Sequence, residues 1–323
     1  MIEINDKNIK TFSIIGPRAT LGLAAFEIAK KDNKFTVVTC DVSTSAGLDR
    51  FRKTYPEKYF DLGIAEQNMI GVATGLASED FKVMTTTFAP FQTMRCCEQI
   101  KVNLGYMKQK ICMVGIASGL VLGTLGYTHC CIEDIGVLRS IPGITIISPA
   151  DSLETVKSLE KALHHSGPTY IRLTGKSNNP IVYKKDYNFE IGKSITLKEG
   201  KDVCLFSSGS MVYQSLKAAE ILEQKKISTK VVNMHTIKPL DREVLENSLD
   251  CNLIVTVEEH NIIGGLGSSV AEHLALKESK PRQVFIGVDD FYSKGGSYEY
   301  LLKKHRLDAE GIAKRIVEEI RKK

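Results

Sequence analysis

Short β-rich runs alternate with helical patterns along most of this chain, and that order constrains the fold more than any other feature. FTVVT (35–39), FKVMTTTF (81–88), ICMVGIA (111–117), ITIIS (144–148) and TYIRL (169–173) follow one another, with helix candidates at about 20–31, 66–78, 91–104, 132–140 and 151–164 between them. Parallel strands need a crossover, most simply a helix, so the alternation predicts a doubly wound, mostly parallel sheet over the first 175 residues. The pattern then fails from Gly175 to Gly200, where Lys, Asn and Gly dominate and an extended connection is expected. It resumes with DVCLFSSGS, a helix near 211–225, STKVVNM, NLIVTVEE, a helix opening near Gly265, QVFIGV and a closing helix at about 308–321. The fold class expected is α/β with two domains: 1–180, a linker at 181–200, and a smaller α/β domain at 201–323. A chain of 323 residues is long enough for each to bury its own core.

Charge and cysteine usage narrow the function classes. The net charge is +5, and the basic residues are scattered apart from the closing RKK, so no face-clustered footprint for nucleic acid is expected. No uninterrupted apolar run reaches the roughly eighteen residues of a membrane helix. The eight cysteines show no CxxC pair and no metal-like spacing to His, and the start MIEINDKNIK has no apolar signal core, so reduced thiols, no metal site on this chain and a cytoplasmic location are expected.

Four stretches carry chemistry. IIGGLGSS (262–269) follows a strand and opens a helix, but it lacks the third glycine of the dinucleotide fingerprint and reads better as a tight turn. His129 stands in the Gly-rich loop LGTLGYTH with no apolar face to fill, while Glu133 and Asp134 after it read as first-turn complements of a helix dipole. In DLGIAEQN (61–68), Glu66 sits among apolar and small residues: either a first-turn carboxylate, or a partly buried carboxyl that exchanges a proton or a strong hydrogen bond with a ligand nitrogen. Phe88 and Phe91 fall at a strand end and helix start, where a parallel sheet opens its ligand crevice and an aromatic face can stack on a flat heterocycle.

FDLGIAEQNMIGVATGLA, TTFAPFQTMRCCEQIK, GYTHCCIEDIGVLRSIPGITIISPAD, and TKVVNMHTIKPLD with IVTVEEHNIIGGLGSSVAE together resemble the C-terminal half of transketolases, in the split form made as two chains. The resemblance implies a pyrimidine-binding domain followed by a transketolase C-terminal domain, and transfer of a two-carbon ketol unit between sugars, with sugar phosphates the expected substrates. It implies that Glu66 contacts N1′ of the aminopyrimidine of thiamine diphosphate, that Phe91 stacks on that ring with Phe88 beside it, and that His129 lies near the donor substrate's hydroxyl or carbonyl. Arg18 in GPRAT and Ser45 in DVSTS match sugar-phosphate contacts, and Lys176 stands near where the family has a phosphate-binding arginine after the IRL strand. The usual EDGPTH is here TLGYTH, so Leu125 replaces an aspartate that reads a substrate hydroxyl.

The chain also contains no GDG motif, the family's device for holding the diphosphate through a divalent metal. The resemblance therefore implies an N-terminal partner subunit that carries GDG and binds most of the Mg2+ or Ca2+, with an α2β2 heterotetramer as the expected assembly. The TIKPLD and EEHNIIGGLGS motifs are shared with deoxyxylulose-phosphate synthases and with β subunits of 2-oxoacid dehydrogenases, which gives an alternative enzyme class. A non-catalytic partner chain is a third reading, motivated by Leu125.

Overall fold

The computed structural model describes residues 2–322. Among the described residues twelve strands form two sheets: β1 (Phe35–Thr39), β2 (Tyr59–Asp61), β3 (Lys82–Phe88), β4 (Ile111–Ile116), β5 (Thr145–Ile147), β6 (Thr169–Arg172), β7 (Ile195–Lys198), β8 (Val203–Ser207), β9 (Thr229–Asn233), β10 (Thr236–Lys238), β11 (Leu253–Asn261) and β12 (Arg282–Val288). The first sheet runs β10-β5-β6-β4-β3-β1-β2 and is parallel except for β10; the second runs β12-β11-β8-β9-β7 and is parallel except for β7. The chain is thus α/β with two mostly parallel sheets.

The strand residues explain the layering. Every residue of β1, β4, β6 and β8 is buried, as expected for strands covered on both faces by helices. From β1 the chain steps outward to β2 and then back across to β3, so the winding reverses at β1/β3, and the carboxyl ends of these strands open onto a crevice.

The helix Glu66–Ser78 has the predicted bounds, and Ser152–Leu163 starts one residue late because Asp151 is its N-cap, its side chain accepting from the Glu154 amide at 2.9 Å. The first helix is longer than predicted, Asp6–Ala29, and breaks at Gly16, whose φ of 79° needs glycine. By length and composition it is the one helix among the described residues able to cross a membrane, yet it carries Pro17 and buries Ile9, Phe12, Leu21, Ala24 and Ala25 in the core of the first domain. The predicted helix 91–104 is instead a short piece, Ala89–Gln92, then non-helical Thr93–Cys96, then Cys97–Ile100 running directly into the wide turn Lys101–Tyr106.

Two features bind the sheets to each other. β10, from the second half of the sequence, adds to the edge of the first sheet against β5, and β7 lies within the stretch read as a linker. The connection itself is docked: Asp151 Oδ2 accepts from the amides of Val182 and Tyr183 at 2.9 Å, and the Asn179 amide donates to Ser13 O at 2.8 Å.

The second feature is Arg172, wholly buried at the end of β6. Its Nε bonds both Asp134 oxygens at 3.0 and 2.9 Å, and its Nη2 donates to Glu259 O at 2.7 Å and Cys131 O at 3.2 Å. Asp134 also accepts from Tyr170 OH at 2.7 Å, so it is more than the dipole complement expected of it. Burial works against the Arg172 charge, but Asp134 more than offsets this and holds the guanidinium above its ordinary pKa. Removing one partner leaves the other charge buried and alone, at a cost of about 3–5 kcal/mol. Asp134→Asn and Arg172→Met should therefore each lower stability to urea by about that amount, and the double variant should lose clearly less than their sum; strictly additive losses would show that the pair is not a coupled unit.

Candidate active site at the carboxyl edge of the first sheet

Glu66 opens its helix directly after the loop that leaves β2, and only 4% of its side chain is exposed. Its Oε2 lies 2.8 Å from Arg95 Nη1 in an ion pair, and the Arg95 guanidinium lies 4.1 Å from the centre of the Phe91 ring. Burial pushes the neighbouring thiols of Cys40 and Cys96 up to about 11 and about 12, with the Glu66 charge adding to the effect, so both are neutral at physiological pH. The thiols beside Glu66 are therefore uncharged, and the charges acting on Cys40 besides Glu66 are those of Asp61 and Arg95.

The aromatic side of the site is built where β3 ends. Pro90 sits in the first turn of Ala89–Gln92, and the turn projects Phe91 beside Phe88, the ring centres 6.2 Å apart and nearly perpendicular. His129 completes the group at 5.4 Å from Phe91 and 6.2 Å from Phe88, with its Nδ1 3.0 Å from Thr128 Oγ1. Glu66, Phe88, Phe91 and His129, which come from three separate loops, are thus joined through Arg95 and the aromatic cluster.

The His129 loop is held largely from the second domain. Gly119 and Cys131 exchange both backbone bonds, Leu120 N donates to Glu259 Oε1 at 2.7 Å, and Gly296 N donates to Gly123 O at 3.0 Å. Buried Glu259 also takes Tyr298 OH at 2.7 Å and a short bond from Ser210. Leu125 projects from this loop with 56% of its surface exposed.

Arg18, Ser45 and Lys176 meet at a second place, a cavity of about 200 Å³ also lined by Gly16, Pro17, Thr44 and Ser177. Gly16 permits it: a Cβ there would stand 2.7 Å from Lys176 O and 2.8 Å from Ser177 N. Burial lowers the Arg18 pKa, and among the described residues no carboxylate pairs with it, so its charge is free for an anion. The Lys176 ammonium is drawn elsewhere, 5.4 Å from the Tyr298 ring and 3.7 Å from Glu299, so that the lysine lines the cavity while its charge leans to the second domain.

The glycine turn at 262–269 is not a phosphate cradle here: its helix amides at Leu266 and Gly267 are already taken by Glu258, at 2.7 and 2.8 Å. No group of three or more His, Cys, Asp or Glu side chains among the described residues is placed to hold a metal ion. The residue that sequence reasoning missed is Arg95. Its signal was the same as for Glu66, being the one charged residue in the run TTTFAPFQTMRCC.

The arrangement fits one end of a flat nitrogen heterocycle. A buried carboxylate and an aromatic face here hold a planar, delocalised cation by ion pairing and stacking, and an aminopyrimidine presents a similar N–H edge and π face.

Comparison with known proteins identifies both domains. Residues 15–180 match the transketolase pyrimidine-binding domain, and 192–312 match the transketolase C-terminal domain. A predicted transketolase C-terminal section of Methanocaldococcus jannaschii is 38% identical over 95% of this chain and 97% of its own length. The 6-deoxy-6-sulfo-D-fructose transketolase subunit of a Clostridium species is 36% identical over 89% of each chain, and an apulose-4-phosphate transketolase subunit of Phocaeicola vulgatus is 34% identical over 96% of this chain and 99% of its own length. Among solved structures, a split-gene transketolase in an inactive β4 tetramer superposes with a TM-score of 0.84 at 36% identity, covering 94% of this chain and 97% of that one. On the strength of both its domains and of relatives matched end to end, this chain belongs to the transketolase family, in the split-gene form.

Proposed function

We propose that this chain is the pyrimidine-binding subunit of a two-chain transketolase, a transferase that moves a two-carbon ketol unit between sugar substrates with an anionic terminus. The observation that carries the reading is the convergence of buried Glu66, Phe91 and His129 at the carboxyl edge of the first sheet.

Thiamine diphosphate, when bound, would supply an acidic thiazolium carbon as the carrier of the ketol unit. This chain's residues serve that chemistry in separate roles. Glu66 holds a hydrogen bond to the ring nitrogen N1′, and its burial strengthens the bond by excluding water. Phe91 and Phe88 fix the plane of the ring. His129 exchanges a hydrogen bond or a proton with the substrate's hydroxyl or carbonyl oxygen, within reach of the same aromatic wall. Arg18 and Ser45, with Lys176 beside them, take the anionic end of the sugar in their shared cavity. The relatives named for a phosphorylated and a sulfonated sugar support an anion there in preference to a neutral end.

An N-terminal partner subunit with the GDG motif holds the diphosphate and its Mg2+ or Ca2+, which accords with the lack of such a motif here and with the inactivity of a relative assembled from β chains alone. Two composite sites around a twofold axis make an α2β2 heterotetramer. Eight free cysteines support a cytoplasmic location as part of this reading.

The isolated chain should be inactive, and mixing it with its partner, thiamine diphosphate and magnesium should give ketol transfer; release of carbon dioxide from pyruvate by the mixture would favour a 2-oxoacid enzyme instead. Arg18→Ala should raise KM for a phosphorylated sugar about 10–100-fold, the worth of a lost charge-assisted bond, while changing KM for the unphosphorylated sugar little. Equal effects on both would remove Arg18 from anion binding. Light scattering should find two copies of each chain in the active mixture, and chains that stay separate at micromolar concentration would exclude the tetramer.

A further inference from the structure

One guanidinium holds both groups through which this chain is read to grip the pyrimidine. Arg95 Nη1 pairs with Glu66 Oε2 at 2.8 Å and the guanidinium covers the Phe91 ring at 4.1 Å, and this ion pair is the one polar contact of the Glu66 carboxylate among the described residues. A guanidinium and an aminopyrimidine share the relevant chemistry: each is flat, offers N–H donors at its edge, and lays a π face on an aromatic ring. They cannot use the Glu66 oxygen and the Phe91 face together.

We propose that Arg95 is a built-in surrogate for the aminopyrimidine, holding Glu66 and Phe91 in the cofactor-free chain and yielding both when the cofactor binds. The inference rests on the assignment of Glu66 and Phe91 to the pyrimidine ring. The local structure suits an exchange of this kind. Arg95 is anchored through its backbone, with its amide donating to Pro90 O at 3.3 Å and its carbonyl accepting from Gln67 Nε2 at 3.1 Å. Its side chain is 42% exposed, so a rotamer change moves the guanidinium into solvent without moving the loop. Glu66 is almost wholly buried, and a carboxylate there without a cation is costly, so the surrogate keeps the ring site formed and charged before the cofactor arrives. The consequence is competition: if Arg95 is in place about 90–99% of the time, the apparent affinity for the cofactor falls about 10–100-fold. Binding by the isolated chain is thereby suppressed, and the added contacts of the partner subunit are needed to displace the guanidinium.

The test is calorimetric titration of thiamine diphosphate, with magnesium, into the reconstituted pair of full-length chains. Arg95→Met and Arg95→Gln should each tighten binding about tenfold or more, and the gain should vanish when either is combined with Glu66→Gln. Cofactor binding that is unchanged or weakened in both Arg95 variants would overturn the surrogate role and make Arg95 a residue that positions Glu66. The underlying assignment fails in a different way: Glu66→Gln alone would then leave binding at the wild-type value. If Glu66→Gln weakens binding while neither Arg95 variant tightens it, the Glu66 assignment stands and only the surrogate is wrong.

Discussion

The buried guanidinium of Arg172 is the point on which the rest of the structure depends. It ends β6 in the first sheet, pairs with Asp134 at the head of the helix after the His129 loop, and takes the carbonyl of Glu259 from the second domain. An arginine with 2% of its surface exposed is tolerable only when its charge is paired and hydrogen-bonded, so the acceptors of its Nε and Nη2 dictate where three chain segments lie. The side chain of Glu259 in turn gathers Leu120, Ser210 and Tyr298. A loop that would otherwise be a mobile Gly-rich excursion is thereby fixed over the end of the first sheet by the second domain. The family's two-domain organisation has a direct physical meaning here: the second domain carries no candidate catalytic side chain, yet it orients one.

Much of this was legible in the sequence because buried parallel strands are written as uninterrupted apolar runs. FTVVT has the observed bounds, and the other predicted strands of the first sheet deviate by one residue at one end, or at both ends for ITIIS. The elements that were not legible depend on something remote. β2 is a three-residue edge strand whose residues are mostly exposed, and β10 exists only because TIK meets β5 across the domain junction. The helix 91–104 is interrupted after Thr93, whose amide still bonds Ala89 O at 3.0 Å, and within the interruption Arg95 meets both Phe91 and Glu66. The local signal for a helix was present, but the crevice overrode it.

The candidate site was readable at the level of residue type more than of partnership. Glu66 stood out as a carboxylate among apolar neighbours, and the structure buries it; Arg18 and Ser45 came together in one cavity, while the charge of Lys176 was drawn to the other domain. What periodicity cannot convey is which cation answers a buried carboxylate, since the answer lies about thirty residues away on another loop. The same blindness applied to Asp134, whose place in a first turn concealed a buried ion pair.

The central claim is that Glu66, through the ring nitrogen, makes the cofactor reactive in a site shared by two chains. The most direct measurement is the exchange of the thiazolium C2 proton for deuterium, followed by NMR in the reconstituted pair, because it reads the activation itself with no sugar substrate present. Wild-type chains should accelerate exchange over free thiamine diphosphate, and Glu66→Gln should slow it about a hundredfold or more while the two chains remain assembled. Equal exchange rates in the wild-type and Glu66→Gln pairs would contradict the account.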